Sequence, residues 1–545
     1  MGLTSSMWAG VSGLLAQSSQ LNLIGNNLAN VDTVGYKAQV MDFEDMVYAS
    51  VPTASGLGQI GLGVRTGSIY SDFSQGPSQT TDTSTDMEIN GAGFFQVRDQ
   101  TTNETYYTRA GNFSFDANGY LINPNDLRVQ GWAVNTTALR AQETQGTFNG
   151  VVPVTGAQTD IKVDALNLAA QATSSMTVIT NLNRSDSSHS TGTANPFFNM
   201  FEDYNYNPQQ PSTAALSSND YDYSQTLTVY DQRGGAHSVS VYYDKVSDVG
   251  GKEYWEYMVA SNPSEDGRTF NINGTQTAMD SNAKAGVLQM GTMVFGANGN
   301  LQNITAYSLN SNSFVNGVSN LSDWTLSKIS STGYPTFTAN FLGVSNASYV
   351  GSSNAQSISL NLGIKSANSS WNTGAAANAA AVGLSQLSNA AALQGFNPNT
   401  LTVSSLATTN YVSTDTALRL SQDGYPPGSL QSVSVDANGV IIGTYTNGQS
   451  QDLWVVALAD FSSPLGLQRD GSNLFSATPA SGQPLVGRAN SGQLGGIIGS
   501  ALEGSNVDMA TEMVNMIVDQ RDYEANSKTI TTADTMISEV IQLKR

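Results

Sequence analysis

The sequence predicts a multidomain, mainly β chain whose two ends are α-helices that pair with each other like a coiled coil. Three observations carry this. Apolar residues recur at a helical period near the two termini, and short alternating runs fill the space between them. The length of 545 residues is enough for two to four domains at roughly 100–200 residues each.

The first helix is expected from Thr4 to about Asn30, a stretch without proline. Met7, Leu14, Leu21 and Leu28 recur every seven residues. Val11 sits at the four-residue offset, which Ser18 and Gly25 continue with small residues. Such a narrow stripe suits close helix–helix packing. The helix then runs through Asn26, Asn27 and Asn30 to a turn at Gly35 and Tyr36. Asparagine amides compete for nearby backbone groups. These read equally as solvated groups at a helix end or as hydrogen-bonding groups of a packed interface.

The far end mirrors the first. Ser505 and Asp508 stand at capping-box spacing. Met509, Met516, Tyr523, Ile530 and Ile537 follow every seven residues. Met513 and Ile541 share the four-offset with Gln520, Ser527 and Asp534. Lys544 and Arg545 close the helix where its dipole favours cations. A lone helix with so narrow a stripe is marginal in water. The two ends are therefore expected to pair, and the pair to pack against further copies. The alternative is two separate helices lying on a β core.

Between them, "GFFQVRD", "VSVYYDK", "YWEYMVA" and "QDLWVVALADF" alternate as strands do. "FDANGYL" (115–121), "FGANGNL" (295–301) and "VDANGVI" (435–441) each place Asn-Gly between strand formers and predict three hairpins. A calcium loop is excluded, since the twelfth residue from Asp116 or Asp436 is Leu127 or Asn447 rather than glutamate. Residues 185–222 and 366–400 are polar and loosely composed, and read as long excursions within outer domains.

Composition excludes several functions. The net charge of −21, from 22 Lys+Arg and 43 Asp+Glu, argues against a nucleic-acid surface. Without cysteine there is no disulfide framework, thiolate metal site or cysteine nucleophile. No apolar run reaches the ~18 residues of a membrane span, so no membrane insertion is expected. The N-terminus carries neither a basic region nor a cleavage site of the secretory kind, so export would leave it in place. Chemistry-bearing groups are sparse. No nucleophile elbow, zinc-protease helix or Walker loop occurs. His189 and His237 read as structural surface residues, and Asp42, Glu44 and Asp45 as exposed acids beside the first helix. No catalytic, cofactor-binding or metal-binding residue, and no cofactor, is assigned.

Several stretches resemble one family. "SGLLAQSSQLNLIGNNLANVDTVGYK" (12–37) looks like the N-terminal signature of the flagellar axial proteins: the rod, hook and hook-junction proteins. "GAGFFQV" (91–97), "YTRAGNFSFDANGYL" (107–121) and "VQGW" (129–132) resemble the segment that follows it. "YDQRGGAHSVSVYYDK" (230–245) resembles the outer β domain of the hook branch, which short rod proteins lack. Residues 422–449, 456–475 and 500–536 resemble the return half. The matches reach both ends in order.

The resemblance implies an inner helical domain of residues 1–30 and 503–545 and an extended connector of residues 31–70. It implies an inner β domain of residues 71–146 and 415–502. Outer β domains would be inserted sequentially at 147–414, two of them, one within the other. Met7, Val11, Leu14, Leu21, Asn26, Asn27, Leu28, Asn30, Gly35, Tyr36, Met509, Met513, Met516, Tyr523, Ile530, Ile537 and Ile541 would then serve core-helix and inter-subunit packing. The asparagines lean toward interface hydrogen bonds.

The function implied is a non-enzymatic structural subunit of the bacterial flagellar hook. It would self-assemble into a flexible helical tube, a universal joint carrying torque from rod to filament. Its partners would be copies of itself, the distal rod protein, the hook cap protein, the hook–filament junction protein and the flagellar type III export apparatus. Its place would be the extracellular hook, reached without signal cleavage. The alternatives are a distal rod-type protein with an enlarged outer domain and a secreted β-rich enzyme or adhesin. Cross-linking through cysteine-derived lysinoalanine, known in some hook proteins, is impossible here.

Overall fold

A computed structural model describes the chain except for residues 1, 54–55, 146, 165, 190–194, 250, 273, 312, 315–316, 342–354, 384–392 and 544–545. The expected closing cations, Lys544 and Arg545, lie outside the described residues.

The first helix spans Gly2–Ala29 and the last Met509–Leu543. They run antiparallel against each other. Gly13 meets Asn526, Gly10 meets Ile530, and the Asn27 amide donates to Glu512 Oε1 at 2.9 Å. The approach is close: a Cβ on Gly13 would lie 2.8 Å from the Asn526 amide, and one on Gly10 would lie 3.0 Å from Ile530 Cγ1. The cap of the last helix is Asp508 rather than Ser505. Asp508 Oδ1 accepts from the Thr511 N–H at 2.9 Å. Ser505 sits in extended chain ahead of the helix, because Val507 is buried there against Tyr36 and Ala38.

The chain divides into two compact units, residues 1–166 with 430–545, and residues 167–429. The first unit holds the helices, the connector and an antiparallel sheet. The connector is itself β structure: Gln39–Asp45 pairs with Val64–Ser71, and Ala49–Thr53 with Gly56–Ile60. The main sheet is ordered Gly428–Val435, Val440–Tyr445, Ser450–Asp460, Arg128–Val134, Phe94–Arg98, Thr105–Thr108, Leu474–Ser476 and Gln468–Gly471. Phe95, Val97, Phe113, Val129, Ile161, Val456 and Leu458 fill its core.

The second unit is built on the sheet Tyr223–Tyr230, Ala236–Val249, Lys252–Ser261, Val287–Phe295, Tyr307–Ser308 and Thr325–Leu326. Both faces of this sheet are covered. Along Lys252–Ser261, Tyr254 and Met258 join one hydrophobic cluster, while Trp255, Tyr257 and Val259 join the other. The excursion at 185–222 supplies Phe197, Phe198, Met200, Phe201, Tyr204 and Tyr206 to the first cluster. From 366–400, Phe396 enters the second, with Trp371 stacked on it at 4.7 Å.

The borders differ from the expected 147–414. Val154–Asp160 pairs with Arg128–Val134 inside the first unit, and Thr416–Gln422 pairs with Ser175–Asn181 inside the second. Strand pairing carries both borders toward the C-terminus, from 147 to 167 and from 414 to 429. Residues 167–429 form one compact unit, in which a four-stranded sheet of Thr336–Ala339, Gln356–Asn361, Ser175–Asn181 and Thr416–Gln422 supplies part of the second cluster.

All three Asn-Gly segments form hairpins. Gly119, Gly299 and Gly439 take positive φ, whereas Asn118, Asn298 and Asn438 do not. In the two Asp-Ala-Asn-Gly turns the Asp116 and Asp436 carboxylates accept from the backbone two and four residues on.

Candidate functional site at the terminal-helix junction

Between the end of the first helix and the connector the chain must reverse without losing its grip on the last helix. Gly35 makes the turn at φ +67°. A Cβ there would lie 2.5 Å from the Ala110 backbone nitrogen, so both conformation and space require glycine. Its N–H donates to the Glu503 carbonyl at 2.7 Å.

The asparagine patch is engaged within the chain. Asn27 is buried, and its amide donates to the Gln39 carbonyl and to Glu512 Oε1, both at 2.9 Å. Its Oδ1 accepts from Gln39 N–H at 2.9 Å and from the Tyr36 hydroxyl at 3.3 Å. One side chain thus ties the first helix, the connector and the last helix together. Asn26 donates to the Tyr36 hydroxyl at 3.1 Å. Asn30 reaches back to the Asn26 carbonyl at 2.9 Å and accepts from Thr33 at 3.2 Å.

Beneath this turn lies a buried ion cluster. Lys37 Nζ meets Glu503 Oε1 at 2.5 Å, with both side chains wholly buried. Lys37 also donates to the Ser74 carbonyl at 2.7 Å, and Gly76 N–H to Glu503 Oε1 at 2.9 Å. Arg109 Nη1 lies 3.4 Å from Glu503 Oε2, and its Nη2 donates to the Gly91 carbonyl at 2.8 Å. Burial pulls Lys37 below the usual ammonium range, and Glu503 opposes that pull. Asn473 donates to the Val34 carbonyl at 2.8 Å, and Asn506 Oδ1 accepts from Ala38 N–H at 2.7 Å. Arg469 donates to the Lys37 carbonyl and lies over the Tyr36 ring. Glu503, Arg109, Asn473, Asn506 and Arg469 were missed as site residues. They stand inside the stretches that resemble the axial family, which is the signal that could have found them.

Along the helices, Met7, Val11, Leu14, Leu21 and Leu28 are half-buried, as are Met516, Ile530 and Ile537. The buried residues of the first helix are Gly10, Gly13, Ala16, Leu23, Ile24 and Asn27, with Gln17 and Gln20 half-buried among them. On the last helix Asp519 and Ala533 are buried and Asn526 half-buried, each three residues beyond Met516, Ile530 or Tyr523. The seam therefore runs three residues beyond the heptad positions, joined on the first helix by Gly13, Gln20 and Asn27 one residue before them, where the sequence suggested the four-residue offset. Small and polar side chains on that line let the backbones approach. Met509, Met513, Tyr523 and Ile541 are exposed in the single chain, together with Trp8, Leu15, Val514, Ile517, Val518, Met536 and Val540. Trp8 and Leu15 are each 67% exposed. These apolar side chains remain open to solvent in the single chain. Among the described residues no helix is long and apolar enough to cross a membrane.

Comparison with known proteins places these features. Four family descriptions match in order. They are "Flagella basal body rod protein" at residues 7–37, "Flagellar hook protein FlgE/F/G D1 domain" at 88–179, "Flagellar basal body protein FlaE D2 domain" at 199–425, and "Flagellar basal body rod FlgEFG protein C-terminal" at 498–543. The flagellar hook protein FlgE of Escherichia coli is 29% identical over 534 residues, covering 98% of each chain. That of Treponema pallidum is 28% identical over 553 residues, covering 99% of each. The crystal structure of Helicobacter pylori FlgE2 aligns with a TM-score of 0.41 at 14% identity, over 77% of this chain and 98% of that one.

Proposed function

Because the chain belongs to the flagellar hook protein family and is a structural subunit of the hook, we propose that its terminal helices drive polymerisation into a helical tube that bends as a universal joint between rod and filament. The observation that carries this is the unpartnered apolar face of the helix pair, from Trp8 and Leu15 to Met513, Ile517 and Val540. Copies of the chain would cover it, since apolar burial is the main driving term of association. Only 12% of residues are charged, so outer surfaces meet through weak polar contacts that exchange at little cost as the tube bends.

Export through the flagellar type III apparatus, without signal cleavage, delivers the subunit to the extracellular hook. The distal rod, hook cap and hook–filament junction proteins are its neighbours there. The test is truncation after Val507. Cells carrying it are expected to lack hooks in electron micrographs, whereas bent hooks of normal length would refute assembly through the helices.

A further inference from the structure

The second unit holds a polar group for which the hook role has no use. Asp222 immediately precedes strand Tyr223–Tyr230, and Asp244 lies on the neighbouring strand Ala236–Val249. Their register pairs Tyr223 with Tyr243, which sets the two acids side by side. His189 arrives from the loop after Ser175–Asn181. Its Nδ1 lies 2.6 Å from Asp244 Oδ1 and 3.5 Å from Asp222 Oδ1. One ligand atom from each of the three lies within 4.8 Å of the others.

Two further observations favour a cation here. The Asp244 side chain is wholly buried and meets both His189 and the Asp222 carboxyl, so two acids and one imidazole crowd a site closed to bulk water. The surroundings are also acidic. Glu256 stands directly across the sheet from Asp244 and is itself buried. Asp186 and Asp415 both take hydrogen bonds from Asn183 and lie against each other. The nearby cations are turned elsewhere: Lys245 donates to the Arg184 carbonyl and lies 3.4 Å from Asp248, while Arg184 pairs with Glu253.

We propose that His189, Asp222 and Asp244 form a site for a divalent transition cation of the Zn²⁺ kind. One imidazole nitrogen and two carboxylate oxygens suit such an ion, whereas calcium takes six to eight oxygens. Bonds of about 2.0–2.1 Å set tetrahedral zinc ligands roughly 3.3 Å apart. The observed 2.6 and 3.5 Å bracket that separation. His189 is 34% exposed and can supply the small movement, leaving a fourth position to water. The Lys245 N–H donates to Asp222 Oδ2 at 2.9 Å, which orients that carboxylate and leaves Oδ1 for the ion. A bound ion would neutralise the acids and fasten the 183–189 loop to the sheet.

The test is calorimetric titration of the full-length, chelator-treated monomer with ZnCl₂. One ion per chain is expected to bind at micromolar or tighter affinity, with heats that depend on the buffer because binding displaces a proton. Asp244→Asn and His189→Ala are each expected to weaken binding about tenfold or more. His237→Ala is expected to leave it unchanged, since the two nitrogens of that ring face different carboxylates, Glu265 at 2.7 Å and Asp231 at 3.2 Å. Loss of a partly exposed loop ring leaves the sheet intact, so His189→Ala decides the matter even where Asp244→Asn does not fold. Absence of saturable binding below about 100 µM, or binding that survives His189→Ala, overturns the proposal.

Discussion

Glu503→Gln isolates the ion cluster beneath the helix–connector turn. The substitution keeps the shape of the side chain and an acceptor for Gly76 N–H, but removes the charge that faces Lys37 and Arg109. Lys37 is wholly buried and Arg109 nearly so, which leaves neither cation access to water. Removing one partner of a buried pair costs about 3–5 kcal/mol. Lys37→Met should cost less, because Arg109 still faces Glu503. The double variant should cost less than the sum of the two, since the cation and the anion leave together. Hydrogen–deuterium exchange at Gly35 and Gly76, whose N–H groups bond Glu503, reads the effect locally. At 1.4 kcal/mol per tenfold, exchange should rise at least about a hundredfold in Glu503→Gln. A rise below about fivefold, or strict additivity in the double variant, refutes the claim that the cluster fastens the turn.

Other outcomes follow from the same junction. Gly35→Ala combines a left-handed backbone with a Cβ 2.5 Å from the Ala110 nitrogen, and is expected to cost about 2–5 kcal/mol in urea unfolding. A cost under about 0.5 kcal/mol would show that the turn can relax. Asp519 lies buried in the helix seam, where burial, with Asp522 and Glu512, raises its pKa. A raised carboxylate pKa gives stability that is full below about 3.9 and lost as pH rises through the folded-state value. Asp519→Asn should therefore raise the helical melting temperature, followed by circular dichroism, at pH 7 and leave it unchanged at pH 3. Equal shifts at both pH values would contradict that reading.

The helices, the hairpins and the order of the family stretches were legible because each rests on local chemistry. A seven-residue apolar repeat over Met7–Leu28 or Met516–Ile537 specifies a helix, and Asn-Gly between strand formers specifies a turn. Gly35 and Tyr36 were legible as a turn for the same reason. Lys37 gave no such signal. Its partner Glu503 lies far along the chain, and no periodicity reports a contact between residues so separated. His189 read as a surface residue because nothing in "SDSSHS" announces Asp222 and Asp244, which the strand register brings to it.

By itself, then, the sequence determined that the chain is mainly β with helical ends, that it lacks every cysteine-dependent chemistry, and that its terminal stripes need partners. Tertiary structure alone decided which side of each helix became the seam. Heptad spacing repeats identically on several faces, and only close approach at Gly10 and Gly13 selects one. It also decided the unit borders, because strand pairing is a contact between distant segments. The exposed apolar face is what remains after those contacts form, and its extent could be read only once they were in place.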